Sequence, residues 1–256
     1  RQVIQAPNGI VLVTGPTGSG KNTTLYAALS ELNSEEVNIC TVEDPVECNM
    51  AGINQFQVNP AAGFEFATAL RSLLRQDPDI IMVGEIRDQA TANIAVQAAL
   101  TGHLVLSTLH TNDAPGAVTR LLDLSVAPYL VGASLIAVLA QRLVRKICAN
   151  CKTEYEPAVT IRKVAEKNGG KIEQFYRGVG CKKCRNTGYA GRIAIHELFV
   201  PNDEIIEMIN ERTSLKKLRA KALQNGMVSL QSDGIEKVRA GIVSVEEALR
   251  TTQIEA

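Results

Sequence analysis

The sequence predicts an α/β fold whose strands form a mainly parallel sheet. Up to residue 110, short β-branched or apolar runs alternate with longer segments that carry apolar residues at helical spacing. The run at 80–83 has almost no polar face, and 103–109 is predicted to be another buried strand. Strands of a parallel sheet are covered by helices on both faces and read as continuous apolar runs, and the alternation of strands with helices is typical of such folds.

The individual elements follow from this pattern. The β-branched run 10–14 is of strand type, and a glycine-rich turn separates it from the first helix. The helical spacing that begins at Phe64 stops before Asp77-Pro78, because the residue before a proline disfavours the helical region. We predict strands at 10–14, 39–43, 80–83 and 103–109, and helices at 23–32, 64–76 and 88–100.

The composition of the chain changes after Gln141, where cysteine pairs and polar residues replace the alternation of strands and helices. Ser244, with Glu247 three residues later, has the spacing of a capping box at the start of the last helix. The first residue is Arg1, with no signal-peptide pattern, so we expect a fragment of a longer protein. We predict three parts: a core at 1–144, a four-cysteine module with a return strand at 145–200, and a helical subdomain at 201–256.

The composition disfavours several classes of function. Lysine plus arginine number 27 and aspartate plus glutamate number 27, so the chain is neutral; aromatic residues make up only 4%. Proteins that bind nucleic-acid phosphates are usually basic, and proteins that stack on bases use aromatic side chains. This chain is neutral and poor in aromatic residues, so we expect no nucleic-acid partner. No apolar run reaches the ~18–20 residues of a membrane helix. The absence of a signal pattern predicts a cytoplasmic protein.

Residues 15–21 read Gly-Pro-Thr-Gly-Ser-Gly-Lys and lie between the first strand and the first helix. They fit the Gly-x-x-x-x-Gly-Lys phosphate loop in the context that this motif requires. Glycines let backbone N–H groups turn around an anion, and the helix N-terminus adds positive partial charge. We expect Lys21 to reach the β- and γ-phosphates. The candidate nucleotide-binding residues are Gly15, Pro16, Thr17, Gly18, Ser19, Gly20, Lys21, Asn22 and Thr23.

Asn22 departs from this motif. The position after the lysine is normally Ser or Thr, whose hydroxyl ligates Mg²⁺. An amide oxygen can approach a hard cation, but it sits on a longer side chain. Thr23 is one position too late to take over directly. The sequence therefore predicts nucleotide binding and leaves open whether the magnesium-dependent step proceeds.

Two carboxylates and two histidines follow or flank the predicted strands. Glu85 comes directly after the strand at 80–83 and could polarise an attacking water, and Glu43 ends the strand at 39–43. Ligands of α/β sheets bind at the carboxyl ends of strands, where both carboxylates lie. His103 and His110 flank the last strand, and each could sense the γ-phosphate, hold a neighbouring carboxylate or be a satisfied polar group.

Two Cys-x-x-Cys pairs, Cys148 with Cys151 and Cys181 with Cys184, have the spacing of metal ligands. Each pair can place two thiolates on one tetrahedral Zn²⁺, and the four together leave no open position for water. We therefore expect a structural zinc site, with a redox pair or unliganded thiols as the alternatives. The gap between the pairs is long enough to carry a helix near 160–168.

Four ordered segments resemble the motifs of the secretion ATPase superfamily, which drives type II secretion, type IV pilus assembly and pilus retraction. Residues 15–21, 41–47, 82–88 and 102–112 are similar to its Walker A, Asp box, Walker B and His box. The resemblance implies a RecA-like P-loop NTPase core and an N-terminal domain that is absent from this chain.

The resemblance also implies roles for individual residues. Glu85 would be the catalytic glutamate, Glu43 would support the metal or the water, and His110 would sense the γ-phosphate. Such hexamers present positive charge to the phosphates from the region that holds Arg71, Arg75 and Arg87 here, and each of the three could instead form a surface or intersubunit ion pair.

The function that the resemblance implies is a motor ATPase that uses ATP and Mg²⁺ to assemble pilin or pseudopilin filaments. Its expected partners are five further copies in a homo-hexamer, an inner-membrane platform protein and cytoplasmic assembly components, which would hold it peripherally at the inner membrane. The four-cysteine insertion resembles assembly and export ATPases rather than retraction ATPases. Two alternatives stay open: a nucleotide-binding ring component with weak or no turnover, which Asn22 favours, and a nucleic-acid motor, which the neutral charge disfavours.

Overall fold

The computed structural model describes residues 2–252, apart from the side chains of residues 168 and 169. The strands in this range are β1 (Gly9–Thr14), β2 (Ile39–Glu43), β3 (Asn54–Gln57), β4 (Ile80–Val83), β5 (Leu104–Leu109), β6 (Leu135–Ile147), β7 (Lys152–Glu154), β8 (Tyr176–Gly178) and β9 (Tyr189–Phe199). The helices are α1 (Lys21–Leu32), α2 (Phe66–Leu73), α3 (Gln89–Leu100), α4 (Gly116–Asp123), α5 (Pro128–Ser134), α6 (Val159–Gly169), α7 (Asp203–Asn210), α8 (Leu215–Gln224), α9 (Leu230–Arg239) and α10 (Val245–Thr252).

The main sheet confirms the predicted fold class. Within residues 2–252 it has seven strands in the order β3-β2-β4-β5-β1-β6-β9. The pairs β2–β3, β2–β4, β4–β5, β1–β5 and β1–β6 are all parallel. Every residue of β1, β2, β4 and β5 is buried, as expected for strands covered on both faces.

The predicted strands and helices of the first half all form, and one helix is clearly shorter than predicted. Helix α2 ends at Leu73 rather than at Gln76. The N–H groups of Arg75 and Gln76 bond to carbonyls three residues earlier, which tightens the last turn, and Asp77 then takes a left-handed φ of 50°. The chain leaves the helical conformation there, one residue before the proline.

The described residues divide into two compact units. One comprises 2–16, 21–140 and 198–227, and it contains most of the parallel sheet. The other comprises 17–20, 141–197 and 228–252, and it contains the cysteine pairs and helices α6, α9 and α10. The three-part division at 144 and 200 stays a prediction. Among the described residues, we find no helix with both the length and the apolar character needed to cross a bilayer.

A capping box has two hydrogen bonds, and the described residues show one of them at the start of the last helix. The Glu247 N–H donates to Ser244 Oγ at 3.4 Å at the start of α10. The Glu247 carboxylate turns elsewhere and accepts from Arg145 Nη2 at 2.7 Å and from Arg250 Nη2 at 3.0 Å. Glu247 is almost fully buried in this ion-pair cluster, which belongs to the second unit.

Candidate functional site

Four strands of the first unit lead into the four motifs. Strands β2, β4, β5 and β1 are neighbours in this order and run parallel. The carboxyl ends of parallel strands lie at the same edge, so the residues that follow them are brought together. These residues are Glu43 at the end of β2, Glu85 after β4, His110 after β5 and the phosphate loop after β1.

The phosphate loop has the backbone that its glycines make possible. Gly18 and Gly20 have φ angles of 77° and 87°, in the left-handed region that favours glycine. Helix α1 begins at Lys21, directly after the loop, so its first N–H groups face the same region. Lys21 Nζ donates to Gly15 O at 2.9 Å and to Pro16 O at 3.3 Å. The first two residues of the loop therefore contact the ammonium group that is predicted to bind phosphate.

Two further observations fit an anion at this loop. Burial lowers the pKa of Lys21, and the charge of Glu85 offsets part of that effect. An anion beside the ammonium would favour its charged form. Ser19 Oγ is buried and has no hydrogen-bond partner among residues 2–252. A buried hydroxyl without a partner is uncommon and is expected to have a ligand or a water.

Asn22, at the position of the missing hydroxyl, is held by an acidic neighbour. Its Nδ2 donates to Glu47 Oε1 at 2.6 Å, and both residues are exposed. Because the nitrogen of the amide is engaged in this bond, Oδ1 is the atom of Asn22 that can approach a cation. The Glu47 carboxylate adds a second hard oxygen ligand close by.

Glu43 is buried, and both of its carboxylate oxygens accept hydrogen bonds. Thr41 Oγ1 and Gln55 Nε2 donate to Oε1 at 2.5 and 3.1 Å, and the Tyr26 hydroxyl donates to Oε2. Burial and this bond to Glu43 raise the pKa of Tyr26 to about 12. The hydroxyl of Tyr26 also accepts from the N–H of Glu47 at 3.1 Å. Tyr26 thus links helix α1 to Glu43 and Glu47, two of the three acidic residues of the segment 41–47.

Glu85 is mostly buried and has two basic neighbours. Its carboxylate pairs with Arg87 Nη2 and lies 3.5 Å from His110 Nε2. The pairing with Glu85 raises the pKa of Arg87. Gly84, just before it, has little room for a side chain, since a Cβ would lie 3.3 Å from Val42 O and the backbone would have to shift by a few tenths of an ångström. Strand β5 anchors the turn, because Thr108 Oγ1 donates to Gly84 O at 2.8 Å.

The other predicted basic residues lie away from this arrangement or are exposed. His103 precedes β5, at the opposite end of that strand from His110, and its Nδ1 donates to Ala98 O at 2.9 Å at the end of α3. It is a satisfied polar group. Arg71 and Arg75 are exposed, and neither forms an ion pair within residues 2–252. Arg87 is the one of the three predicted arginines that contacts a candidate catalytic residue.

Sequence reasoning missed three residues of this site. Tyr26 reads as an ordinary residue of an amphipathic helix, although it lies one turn after Asn22 on the same face. Gln55 lies on β3, a polar strand of sequence Asn-Gln-Phe-Gln that has no apolar run to reveal it. Thr41 was part of a recognised motif, but its hydroxyl was not assigned a role. The roles of all these residues in binding and catalysis stay predictions.

The four predicted cysteine ligands form one cluster in the second unit. The Sγ atoms of Cys148, Cys151, Cys181 and Cys184 all lie within 4.8 Å of one another. Three Sγ–Sγ distances are 3.9, 3.8 and 3.7 Å. Tetrahedral Zn²⁺ with bonds of about 2.3 Å separates its sulfur ligands by about 3.8 Å, whereas a disulfide needs about 2.05 Å. The cluster therefore fits a metal ion rather than a redox pair.

Backbone donors support the same interpretation at Cys184. The N–H groups of Cys181 and Gly188 point to Cys184 Sγ at 3.2 and 3.3 Å. Burial raises the pKa of this thiol and the backbone donors lower it, and the balance is a pKa of about 6. The thiolate is the form that binds a metal ion. The ligand pairs are presented by the turn after β6 and by a short 3-10 helix at Lys182–Cys184.

Comparison with known proteins agrees with this geometry. The sequence model of the family described as "Type II/IV secretion system protein" matches residues 1–250. The type II secretion system ATPase E of Vibrio cholerae is 53% identical over 253 residues, which is 99% of this chain and 50% of the relative. The type IV pilus assembly ATPase PilB of Myxococcus xanthus is 53% identical over 258 residues, 98% of this chain and 45% of the relative. The chain spans about half the length of the curated relatives it matches.

Solved structures share the fold. The crystal structure of the pilus retraction motor PilT with bound ADP has a TM-score of 0.75 and 29% identity, over 99% of this chain and 64% of that one. The Legionella pneumophila ATPase DotB has a TM-score of 0.71 at 24% identity, over 96% of this chain and 60% of that one, and this shows the fold alone. The resemblance expected from the four ordered motifs is confirmed.

Proposed function

The chain belongs to the type II/IV secretion system protein family, and on this basis we propose that it is the ATPase part of a motor for filament assembly. It couples ATP hydrolysis to the assembly of pilin or pseudopilin filaments in type II secretion or type IV pilus biogenesis. One observation carries the proposal: the four motifs that define an ATP site lie at the carboxyl ends of four adjacent parallel strands. Both relatives described above are themselves ATPases of these two systems.

The roles of the site residues follow from their positions. The N–H groups of the loop and Lys21 bind the phosphates, because a glycine-rich turn and a helix N-terminus together favour an anion. Glu85 orients the attacking water and accepts its proton. His110 is placed beside Glu85 to sense the γ-phosphate, and Arg87 balances the charge of Glu85. Glu43, locked by three donors, supports the metal or the water.

Magnesium fits this site with a ligand that differs from the family motif. Asn22 follows the phosphate loop directly, and its Oδ1 and the carboxylate of Glu47, which accepts from Nδ2, are two hard oxygens that we assign as candidate ligands. Mg²⁺ binds through few protein oxygens and keeps several waters, so one amide oxygen and one carboxylate are adequate in kind. When bound, the ion neutralises the charge that develops on the phosphates.

The cysteine cluster is proposed to hold one structural Zn²⁺. Four thiolates complete the coordination shell and leave no position for a substrate, so the ion stabilises the second unit and takes no part in hydrolysis. The resemblance adds the rest of the proposal: a homo-hexamer in the cytoplasm, held at the inner membrane by a platform protein and further assembly components, with no nucleic-acid partner.

The experiment that tests the function is ATP hydrolysis with Mg²⁺ by the purified protein, compared with its Lys21→Ala variant and an exposed control, Lys217→Ala. We expect turnover in the parent and in the control, and loss of nucleotide binding and turnover in Lys21→Ala. Parent protein that binds nucleotide without turnover would favour the alternative, a nucleotide-binding ring component. The observation that favours this alternative is Asn22 in place of the Mg²⁺-binding hydroxyl.

A further inference from the structure

A buried glutamine in the second unit donates a hydrogen bond to Ser19, a residue of the phosphate loop that belongs to the same unit. Gln141 Nε2 donates to the carbonyl oxygen of Ser19 at 2.7 Å, across 122 residues of sequence. The side chain of Gln141 is buried, with only 3% of its surface exposed. Ser19 and Gln141 both belong to the second unit, which also contains the cysteine cluster. A buried hydrogen bond between an amide and a backbone carbonyl is costly to break, because the two groups lose a bond that compensates for the water they gave up.

Gly20 has the close approach that this contact requires. A Cβ built on Gly20 would lie 2.8 Å from Gln141 Nε2, which is closer than real Cβ contacts allow. Gly20 also has a φ of 87°, which side chains rarely adopt. The glycine before the lysine therefore serves two purposes, since it permits the loop conformation and leaves room for the amide of Gln141.

The bond also orients the peptide unit between Ser19 and Gly20. In a planar trans peptide the C=O and N–H groups point in opposite directions. Because the Ser19 carbonyl points to Gln141, the N–H of Gly20 points away from Gln141. Backbone N–H groups of this loop are the donors that bind phosphate, so the orientation of this peptide decides whether one of them is available.

We propose that Gln141 is a positioning residue of the nucleotide site: its bond to the Ser19 carbonyl fixes the Ser19–Gly20 peptide in the orientation that binds the phosphates of a nucleoside di- or triphosphate. This inference rests on the proposed nucleotide binding. It places the determinant of phosphate affinity in the second unit, on the strand that leads to the cysteine cluster.

The test measures the affinity of a fluorescent ADP analogue for the parent chain, purified with its metal retained, and for Gln141→Leu and Gln141→Glu. Both variants lose the amide donor, and we expect about tenfold weaker binding near neutral pH. The thermal unfolding midpoint without nucleotide serves as a check on folding. Gln97, an exposed glutamine on α3, supplies the matched control variants Gln97→Leu and Gln97→Glu, which should bind as the parent does.

The pH dependence of Gln141→Glu separates positioning from general destabilisation. A protonated carboxyl group can donate to the Ser19 carbonyl, whereas a carboxylate cannot. Burial raises the pKa of a carboxyl group, so affinity relative to the parent should recover as the pH falls from about 8 to about 5.5. Gln141→Leu should show no such recovery. The pH dependence of Gln141→Glu remains informative if Gln141→Leu does not fold.

The outcomes distinguish the two proposals. A parent chain that does not bind the ADP analogue would overturn the proposed nucleotide site and this inference with it. A parent chain that binds, with Gln141 variants of equal affinity, would overturn only the positioning role. Weak binding by Gln141→Glu that stays constant with pH would also contradict it.

Discussion

Asn22 Nδ2 donates to Glu47 Oε1 at 2.6 Å, so the residue that replaces the Mg²⁺-binding hydroxyl is held by the last acidic residue of segment 41–47. This segment and the phosphate loop thus meet through an amide–carboxylate pair. The pair fixes the nitrogen of Asn22 and leaves its oxygen for a cation. We therefore expect Mg²⁺ binding to depend on Oδ1 of Asn22.

Replacing Asn22 with threonine should increase Mg²⁺-dependent turnover. The hydroxyl restores the ligand of the phosphate-loop motif, and improved metal placement should increase the rate by about tenfold or more. The measurement is ATP hydrolysis as a function of Mg²⁺ concentration, with Asn225→Thr at an exposed helix end as the control. Equal turnover in the parent and in Asn22→Thr would show that the amide is an adequate ligand.

Replacing His110, but not His103, should slow hydrolysis. His110 lies 3.5 Å from Glu85, whereas His103 donates to the Ala98 carbonyl at the other end of β5. We expect His110→Gln to lower kcat by about 10- to 100-fold and His103→Gln to leave it unchanged. A similar loss in both variants, or in neither, would contradict the assignment of His110 to the site.

Replacing Tyr26 with phenylalanine should destabilise the fold and change its response to alkali. Without the Tyr26 hydroxyl the buried Glu43 carboxylate has one hydrogen-bond donor fewer, which should lower the free energy of unfolding by about 1–3 kcal/mol. The folded pKa of Tyr26, about 12, is above its ordinary value of 10.0. The stability from this shift is therefore complete below pH 10 and is lost as the pH rises toward 12.

Denaturant unfolding at a series of alkaline pH values measures both effects. Tyr26→Phe should lose less stability between neutral pH and the alkaline range than the parent does. Tyr129→Phe is the matched control, since Tyr129 is 65% exposed. Parallel pH profiles for the parent and Tyr26→Phe would mean that burial and Glu43 do not raise the pKa of Tyr26 in the folded protein.

Metal analysis should find about one zinc ion per chain, bound by four thiolates. Cys184→Ser removes one ligand and should lower both the zinc content and the unfolding temperature. Cys48 is exposed and outside the cluster, so Cys48→Ser should retain the full zinc content. Cobalt substitution should give the absorption of tetrahedral thiolate coordination, and its absence in the parent chain would contradict the proposed site.

Much of the site could be predicted from the sequence because its residues belong to continuous motifs that follow strands. Glu43, Glu85 and His110 could each be placed, since parallel strands end at a common edge. Their hydrogen-bond partners could not be placed. The donors to Glu43 come from α1, β2 and β3, and only the tertiary structure brings these elements together.

Two strands that the sequence does not reveal, β3 and β6, carry the residues Gln55 and Gln141, which sequence reasoning did not assign to the site. Strand β3 carries Gln55 within a short polar sequence, which an edge strand tolerates because one side of it has no partner strand. Residues 126–139 form an apolar run that contains all of helix α5 and, directly after it, the start of strand β6. Pro128 at the first turn favours that helix, and the β-branched and apolar residues after Ser134 favour the strand. The change of composition after Gln141 suggests the end of the strand-and-helix pattern at this residue, whereas Gln141 lies within β6.

The measurement that tests the central claim most directly is single-turnover ATP hydrolysis by the parent protein and by Glu85→Gln, with Glu35→Gln as the exposed control. Glutamine keeps the size of Glu85 but cannot accept the proton of the attacking water. We predict that Glu85→Gln binds ATP with the affinity of the parent and hydrolyses it about 10²–10⁴-fold more slowly, while Glu35→Gln is unaffected. Hydrolysis by Glu85→Gln at the rate of the parent would contradict the assignment of Glu85 as the catalytic carboxylate of this site.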